Sequence, residues 1–252
     1  GFFAIEGVQA SCTDPYLNHA EQPIVNQPEI GILGFIVAKA DTGYNWLVQA
    51  KAEPGNVELV QIAPSVQATY SNYMQKHGGG ATHYLSCFLA SEDQPLSNSL
   101  QSEQGTRFLR KFNRNTVHQA TERLSLINTT YAWLDSASMR WALSADYAVN
   151  TDARSVVATA PWYLISSNKK PFSCQRAGDA AWPDLADAYE APVDNSVVSR
   201  MAASLEEMRA ALNLETEKVS LFQLKDWTFG TSCISHSSGK GTFDVRQYSV
   251  DA

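Results

Sequence analysis

Hydrophobic positions recur along this chain at two periods, two residues for strands and about 3.6 for helices, and the elements follow from them. Residues 1–12, GFFAIEGVQASC, alternate apolar with small or polar side chains and predict a strand. Residues 14–28 carry Pro15, Pro23 and Pro28 and predict a loop. GILGFIVAKA at 31–40 is an apolar run suited to a buried strand, Asp41-Thr42-Gly43 is a turn, and YNWLVQAKA at 44–52 returns, so 31–52 predicts a hairpin. A Pro54-Gly55 turn follows. Residues 83–90 predict a short strand or helix, and 116–127 a strand. Asp135 or Ser136 caps a predicted helix to Leu143, and 146–161 predict a second capped helix stopped by Pro161. Residues 163–195, rich in Ser, Asn, Lys, Pro, Gly and Ala, predict a long surface loop. Val197, Met201, Leu205, Met208 and Leu212 fall three and four apart, so 196–219 predict a helix whose stripe is there for packing. Together these give an α+β fold, a mixed sheet flanked by helices. The expected domains are 1–160, a linker at 161–195, and a helix with a closing strand at 196–252.

Two stretches break the apolar pattern. On a helix starting near Pro64, Gln67 and Ser71 are four apart, and Thr69, Asn72 and Tyr73 are three and four apart. A helix used for packing would carry Leu, Ile and Val there. This one offers amides and hydroxyls, then His77 beside Gly78-Gly79-Gly80, as one wall of a pocket for a hydroxyl-rich ligand. The second stretch, LQSEQGTRFLRKFNRN at 100–115, reads as a helix face or an irregular strand. It sets Arg107, Arg110, Lys111 and Arg114 within eight residues. The closing GTFDVRQYSVDA repeats the pattern of the opening GFFAIEGVQASC, as in a tandem repeat cut after about one unit. Its last strand is then free to complete a neighbouring copy.

Composition narrows the partners. Lys+Arg 19 against Asp+Glu 26 gives a net charge of −7, which argues against a nucleic-acid binder. No apolar run reaches the roughly 18 residues of a membrane helix. Cys12, Cys87, Cys174 and Cys233 form no CxxC pair and predict thiols in a cytoplasmic protein.

QPEIGILGF (27–35), QAKAEPGN (49–56), QIAPSVQATYSNY (61–73), HGG (77–79), LQSEQGTRFLRKFNRN (100–115) and VNTDARSV (149–156) stand in one order that resembles the NDP-hexose 2,3-dehydratases of deoxysugar biosynthesis. The chain departs from that family's pattern at Tyr70, Phe112 and Thr116, where Arg, Arg and Met are expected. The resemblance implies a Nudix-like sandwich, one repeat of a usual tandem pair, binding a dTDP-sugar. A Nudix hydrolase needs several Glu on the helix after Gly55, and Glu58 is the only acid there, so no metal is implied. No GxGxxG follows a strand, and the implied reaction is redox-neutral, so no cofactor is expected.

That reaction is a β-elimination on a dTDP-4-keto-6-deoxyhexose. A base takes the C3 proton, a donor holds the C4 enolate, and the C2 hydroxyl leaves as water. The 3,4-diketo-2,6-dideoxy product passes to a 3-ketoreductase. His77, Tyr73 and Glu103 are the catalytic candidates, with Glu53 also weighed. The competing roles are a loop histidine, a half-buried core Tyr, an ion pair of Glu103 with Arg107, and a turn carboxylate at Glu53. Gln67, Thr69, Asn72, Arg107, Arg110, Lys111, Asn113, Arg114 and Asn115 are the substrate-binding candidates. Arg forks suit diphosphate oxygens, against the alternative of a solvated basic face. A homodimer is expected, the second copy replacing the missing repeat. The alternatives are a non-catalytic dTDP-sugar-binding repeat, a Nudix-type diphosphate hydrolase needing magnesium, and an interaction domain.

Overall fold

The structure, a computed structural model, describes residues 3–14, 20–74, 80–89, 94–165, 194–239 and 244–246. In chain order the elements are β1 (Ala4–Ser11), β2 (Ala20–Asn26), β3 (Gly31–Ala40), β4 (Gly43–Ala52), β5 (Val60–Ala63), β6 (Val66–Ala68), α1 (Tyr70–Tyr73), α2 (Ser86–Leu89), β7 (Ser97–Ser102) and β8 (Phe112–Ala120). After them come β9 (Tyr131–Asp135), α3 (Ser136–Ser144), α4 (Thr151–Thr159), α5 (Asn195–Leu212), β10 (Glu215–Val219), β11 (Trp227–Phe229), β12 (Cys233–His236) and β13 (Val245–Arg246). This is an α+β fold with a mixed sheet, as the hydrophobic pattern predicts.

The chain divides into two compact units. One holds residues 1–28, 103–111 and 192–252, the other 29–102 and 112–191. In the first unit β1 lies between β10 and β2, antiparallel to both. Residues 106–109 run along β2: Val25 N–H donates to Arg107 O at 2.8 Å, and Leu109 N–H to Val25 O at 2.9 Å. β2 falls where a proline-rich loop is expected. Pro23 is accommodated opposite Gly7 in the ladder, so it does not break the strand. Of the closing segment the described β13 pairs with β12, Val245 against Ile234, and residues 241–243 and 247–252 lie outside the described residues. α5 forms along its stripe but stops at Leu212 and not at residue 219: Asn213, with a φ of 42°, ends the helix, and Glu215–Val219 pair with β1 instead. None of its residues is buried, so the stripe does not pack as expected.

The second unit is built on the order β5-β4-β3-β8-β7, with β6 on β3 and β9 on β4. The predicted hairpin is β3 and β4, turning at Gly43 (φ 107°). The two strands pair only as far as Ile36 and Leu47 and then diverge. Residues 60–68 fill the fork, β5 against β4 and β6 against β3. Ser65 sits at its apex, fully buried, accepting from Ile36 N–H at 2.9 Å and donating to Leu47 O. That hydroxyl satisfies the backbone groups which the divergence would orphan. The helix expected from Pro64 to Tyr73 is therefore a strand followed by a single turn, because β3 takes up the hydrogen bonds of this segment.

Helices α3 and α4 cover one face of the sheet. Asp135 caps α3 by accepting from Ser138 N–H, and Met139 and Ala142 turn inward. Asn150 caps α4 by accepting from Ala153 N–H, and Ala153, Val156 and Val157 turn inward onto Phe35, Val37, Trp46 and Val117. The helix starts at Thr151 rather than at residue 146, because the preceding residues pair instead: Asn150 N–H donates to Ile62 O. The opposite face buries Ile32, Ile36, Leu47, Val66 and Ala68 with Tyr84 and Tyr131. β8 ends at Ala120, so only part of the strand expected at 116–127 forms.

Candidate functional site

Glu53 follows the end of β4, Gln67 stands on β6, and Asn150 caps α4, and their side chains meet in the mouth of the fork. Gln67 Nε2 donates to Glu53 Oε1 at 2.9 Å, and Asn150 Nδ2 donates to Glu53 Oε2 at 3.2 Å and to Gln67 Oε1 at 3.0 Å. Asn56 Nδ2 adds a bond at 3.3 Å, and Lys51 Nζ lies 3.9 Å from Oε1. The Glu53 side chain keeps 31% of its exposure, so this carboxylate reaches solvent inside a ring of donors. The family-like segments around 49–56, 61–73 and 149–156 each contribute one corner.

A second polar group lies across β3. Leu33 pairs with Gln67 on one side and with Asn115 on the other, so both amides share a row of the sheet. Asn115 has no exposed surface; its Nδ2 donates to Ser155 Oγ on α4 at 3.1 Å, and its Oδ1 has no partner. Asn113 is buried and accepts from Gly31 N–H at 3.2 Å. A Cβ on Gly31 would lie 2.8 Å from that same Oδ1, so a side chain there would push the Asn113 amide aside. Glu29 accepts from Ser71 N–H at 3.0 Å and from Ser71 Oγ at 2.7 Å, and Ser71 Oγ lies 3.4 Å from Thr69 Oγ1.

The second unit thus gathers Gln67, Thr69, Asn113 and Asn115 around the start of β3. Asn72 is exposed on α1. Arg114 is exposed on the other face of β8, where Nη1 donates to Asn98 Oδ1 at 2.8 Å. Glu103, Arg107, Arg110 and Lys111 belong to the first unit. There Glu103 N–H donates to Lys111 O at 3.0 Å and closes the loop they span. Arg107 and Arg110 are exposed, Arg110 with φ 49°, and Lys111 is buried. His77 and the side chain of Tyr73 lie outside the described residues. Among the described residues no three His, Cys, Asp or Glu side chains are clustered to hold a cation. No helix there is long and apolar enough to cross a membrane.

The residues missed in the sequence are Asn150, Glu29 and His118. Asn150 was legible as a cap, being an Asn ahead of a helical run. His118 was not: it is one polar position in an alternating strand. It lies edge to face with Phe88, ring centroids 4.9 Å apart at 68°. His118 borders a pocket of about 280 Å³ whose wall includes Ile36, Ser86, Cys87 and Leu124. Burial holds the His118 imidazole below its ordinary pKa and pushes the Cys87 thiol above its own. The Leu124 rim is pinned from below: Trp133 Nε1 donates to Leu124 O at 3.0 Å, and Tyr84 Oη to Ser125 O at 2.9 Å.

Comparison with known proteins matches residues 1–160 to the family described as NDP-hexose 2,3-dehydratase. A dTDP-4-dehydro-6-deoxy-α-D-glucopyranose 2,3-dehydratase of Saccharopolyspora spinosa is 34% identical over 252 residues, which is 100% of this chain and 51% of that protein. Its namesake in Streptomyces violaceoruber is 40% identical over 162 residues, 64% of this chain and 36% of the relative. In Amycolatopsis orientalis the figures are 36% identity over 172 residues, 66% and 36%. The chain spans about half the length of the Saccharopolyspora protein. By the extent of the family match and the identity across its full length, this chain belongs to the NDP-hexose 2,3-dehydratase family.

Proposed function

We propose that this chain removes water across C2–C3 of a dTDP-4-keto-6-deoxyhexose, giving a 3,4-diketo-2,6-dideoxy sugar nucleotide. The observation that carries the reading is identity to a named 2,3-dehydratase along the whole of this chain. The polar groups around β3 support it. They are mostly neutral amides and hydroxyls, with Glu53 and Glu29 held by donors rather than grouped as cation ligands, which suits a reaction run without a metal. The Nudix-like frame implied by the resemblance is part of the same proposal.

In the elimination, the C4 ketone acidifies the C3 proton. A base takes it, charge builds on the C4 oxygen, and the C2 hydroxyl departs as water with help from an acid. The C2–C3 enol then tautomerises to the 3-ketone, so atoms and oxidation state balance without a redox partner. His77, Tyr73 and Glu103 are assigned to these transfers, Tyr73 as the donor to the C4 oxygen. Two of Arg107, Arg110, Lys111 and Arg114 take the diphosphate. The diketo product requires prompt reduction, which a 3-ketoreductase supplies. A homodimer in the cytoplasm completes the reading, and light scattering checks the dimer.

The test is a coupled assay with dTDP-4-keto-6-deoxyglucose, a 3-ketoreductase and NADPH, without added metal, read by mass spectrometry. Loss of one water followed by reduction is the expected result, and unchanged substrate overturns the reading. A second reading is favoured by the chain's covering half of its relative: a repeat that holds a dTDP-sugar without chemistry. It expects a thermal shift with dTDP and no turnover.

A further inference from the structure

On β8 the amide layer and His118 lie on opposite faces. Asn113, Asn115 and Val117 turn toward α4, while Thr116 and His118 turn the other way, the period of two placing them apart. The pocket beside His118 is therefore separate from the polar layer under α4. Its wall mixes apolar Ile36 and Leu124 with hydrogen-bonding Ser86 and Gln119. Among the described residues no carboxylate and no cation lines it. At about 280 Å³ it lies at the small end of ligand clefts, with room for one sugar ring but not for a whole nucleotide sugar.

The wall sets one base beside apolar and hydroxyl or amide groups. His118 is half-buried, and among the described residues no acidic side chain lines the pocket to hold a proton on it. Burial alone acts on its ring, so the imidazole is neutral near pH 7 and has a lone pair to offer. Cys87 is kept protonated by the same desolvation, so it is not a thiolate nucleophile. The ring is fixed in angle by Phe88, whose own position depends on the bare backbone of Gly34.

We propose that this pocket receives the keto-hexose ring of the nucleotide sugar and that His118 is the base that takes the C3 proton. This rests on the dehydratase reading above. The imidazole lone pair takes the proton, and the C3–H electrons form a C3–C4 double bond with charge on the C4 oxygen. Those electrons then return to form the C2–C3 double bond as the C2–O bond breaks. The imidazolium gives its proton to the departing hydroxide, so water leaves and His118 is neutral again. Ser86 and Gln119 hold ring hydroxyls. On this inference His118 takes the place given above to His77 and Glu103 in the two proton transfers, and Tyr73 keeps its assignment as donor to the enolate.

The experiment follows C3 deuterium exchange and water loss when the full chain meets dTDP-4-keto-6-deoxyglucose in deuterium oxide. Wild type is expected to exchange and eliminate. His118→Gln is expected to lose C3 exchange by about 100-fold or more, the usual worth of a general base, with its thermal shift on dTDP kept. His118→Gly is expected to regain exchange when free imidazole is added. Exchange at the wild-type rate in His118→Gln overturns the assignment. If wild type itself neither exchanges nor eliminates, the dehydratase reading fails, and the pocket is judged by Cys87. Slowed N-ethylmaleimide labelling of Cys87 in the presence of the nucleotide sugar then supports a sugar pocket, and an unchanged rate overturns it. The Cys87 measurement also decides the matter where the His118 variants do not fold.

Discussion

Phe88 occupies the space that a side chain on Gly34 would need. A Cβ on Gly34 would lie 2.6 Å from Phe88 Cζ and closer still to Cε1. The glycine lets the ring lie on β3, and from there the ring meets His118. Gly34→Ala is therefore expected to overpack this point and cost about 1–3 kcal/mol, read as a lower urea midpoint. Phe88→Ala leaves a cavity that the added methyl partly fills. The double variant should thus be less destabilised than the sum of the two singles. Simple additivity would mean that the backbone, not the ring, absorbs the methyl.

The Glu53 cluster should behave as one unit. Glu53→Ala removes the acceptor shared by Gln67, Asn150 and Asn56, and hydrogen bonds to a charged group are worth about 1.5–3 kcal/mol. The carboxylate is partly exposed, so about 1–2 kcal/mol is expected after solvent screening. Asn150→Ala also strips the cap from α4, for about 1 kcal/mol. A double-mutant cycle in urea should show coupling of at least about 0.5 kcal/mol, and independent effects would show that the bonds do not form together.

His118 gives a pH dependence whose sign is fixed. Burial sets its folded value below the ordinary 6.5, so near that range the unfolded chain binds more protons than the folded one. Stability is complete above about pH 6.5 and is lost as pH falls through the folded value. Cys87, the other titratable residue of the pocket wall among the described residues, stays protonated across this range. From about pH 7 to about pH 5, the urea midpoint of wild type should fall more than that of His118→Gln. Equal falls would place the imidazole in similar solvent in both states.

Much of the second unit is legible locally. The β3–β4 hairpin follows from an apolar run and a turn at Gly43, and α3 from Asp135 ahead of a helical pattern. The fork is not legible locally. Gln67 and Ser71 are spaced like helix neighbours, but Val66 and Ala68 are buried at a period of two, and the deciding bonds run from Ser65 to Ile36 and Leu47. β2 is hidden by Pro23, which a local reading takes as a break. In the site, the amides of 67, 113 and 115 are grouped by type in the sequence, but only the register through Leu33 puts Gln67 and Asn115 in one row of the sheet. His118 is silent because its partner Phe88 lies thirty residues back and meets it across β3.

Arg114 and Asn115 are adjacent in sequence yet should fail in different ways. Asn115 is fully buried and donates to Ser155 Oγ, which itself donates to Asp152 O at 2.8 Å, so Asn115→Ala removes one bond from the serine and opens a cavity, for about 1–3 kcal/mol. Replacing both partners, as Asn115→Leu with Ser155→Ala, removes the unpaired Oδ1 as well and should be nearly neutral. Arg114 is exposed and holds Asn98, so Arg114→Ala should change stability by no more than about 0.5 kcal/mol. If it serves the diphosphate, what it loses is the thermal shift on dTDP. Melting each variant with and without dTDP separates the two roles. An Arg114→Ala protein that melts lower but keeps its full dTDP shift would make this arginine part of the sheet and not of the nucleotide site.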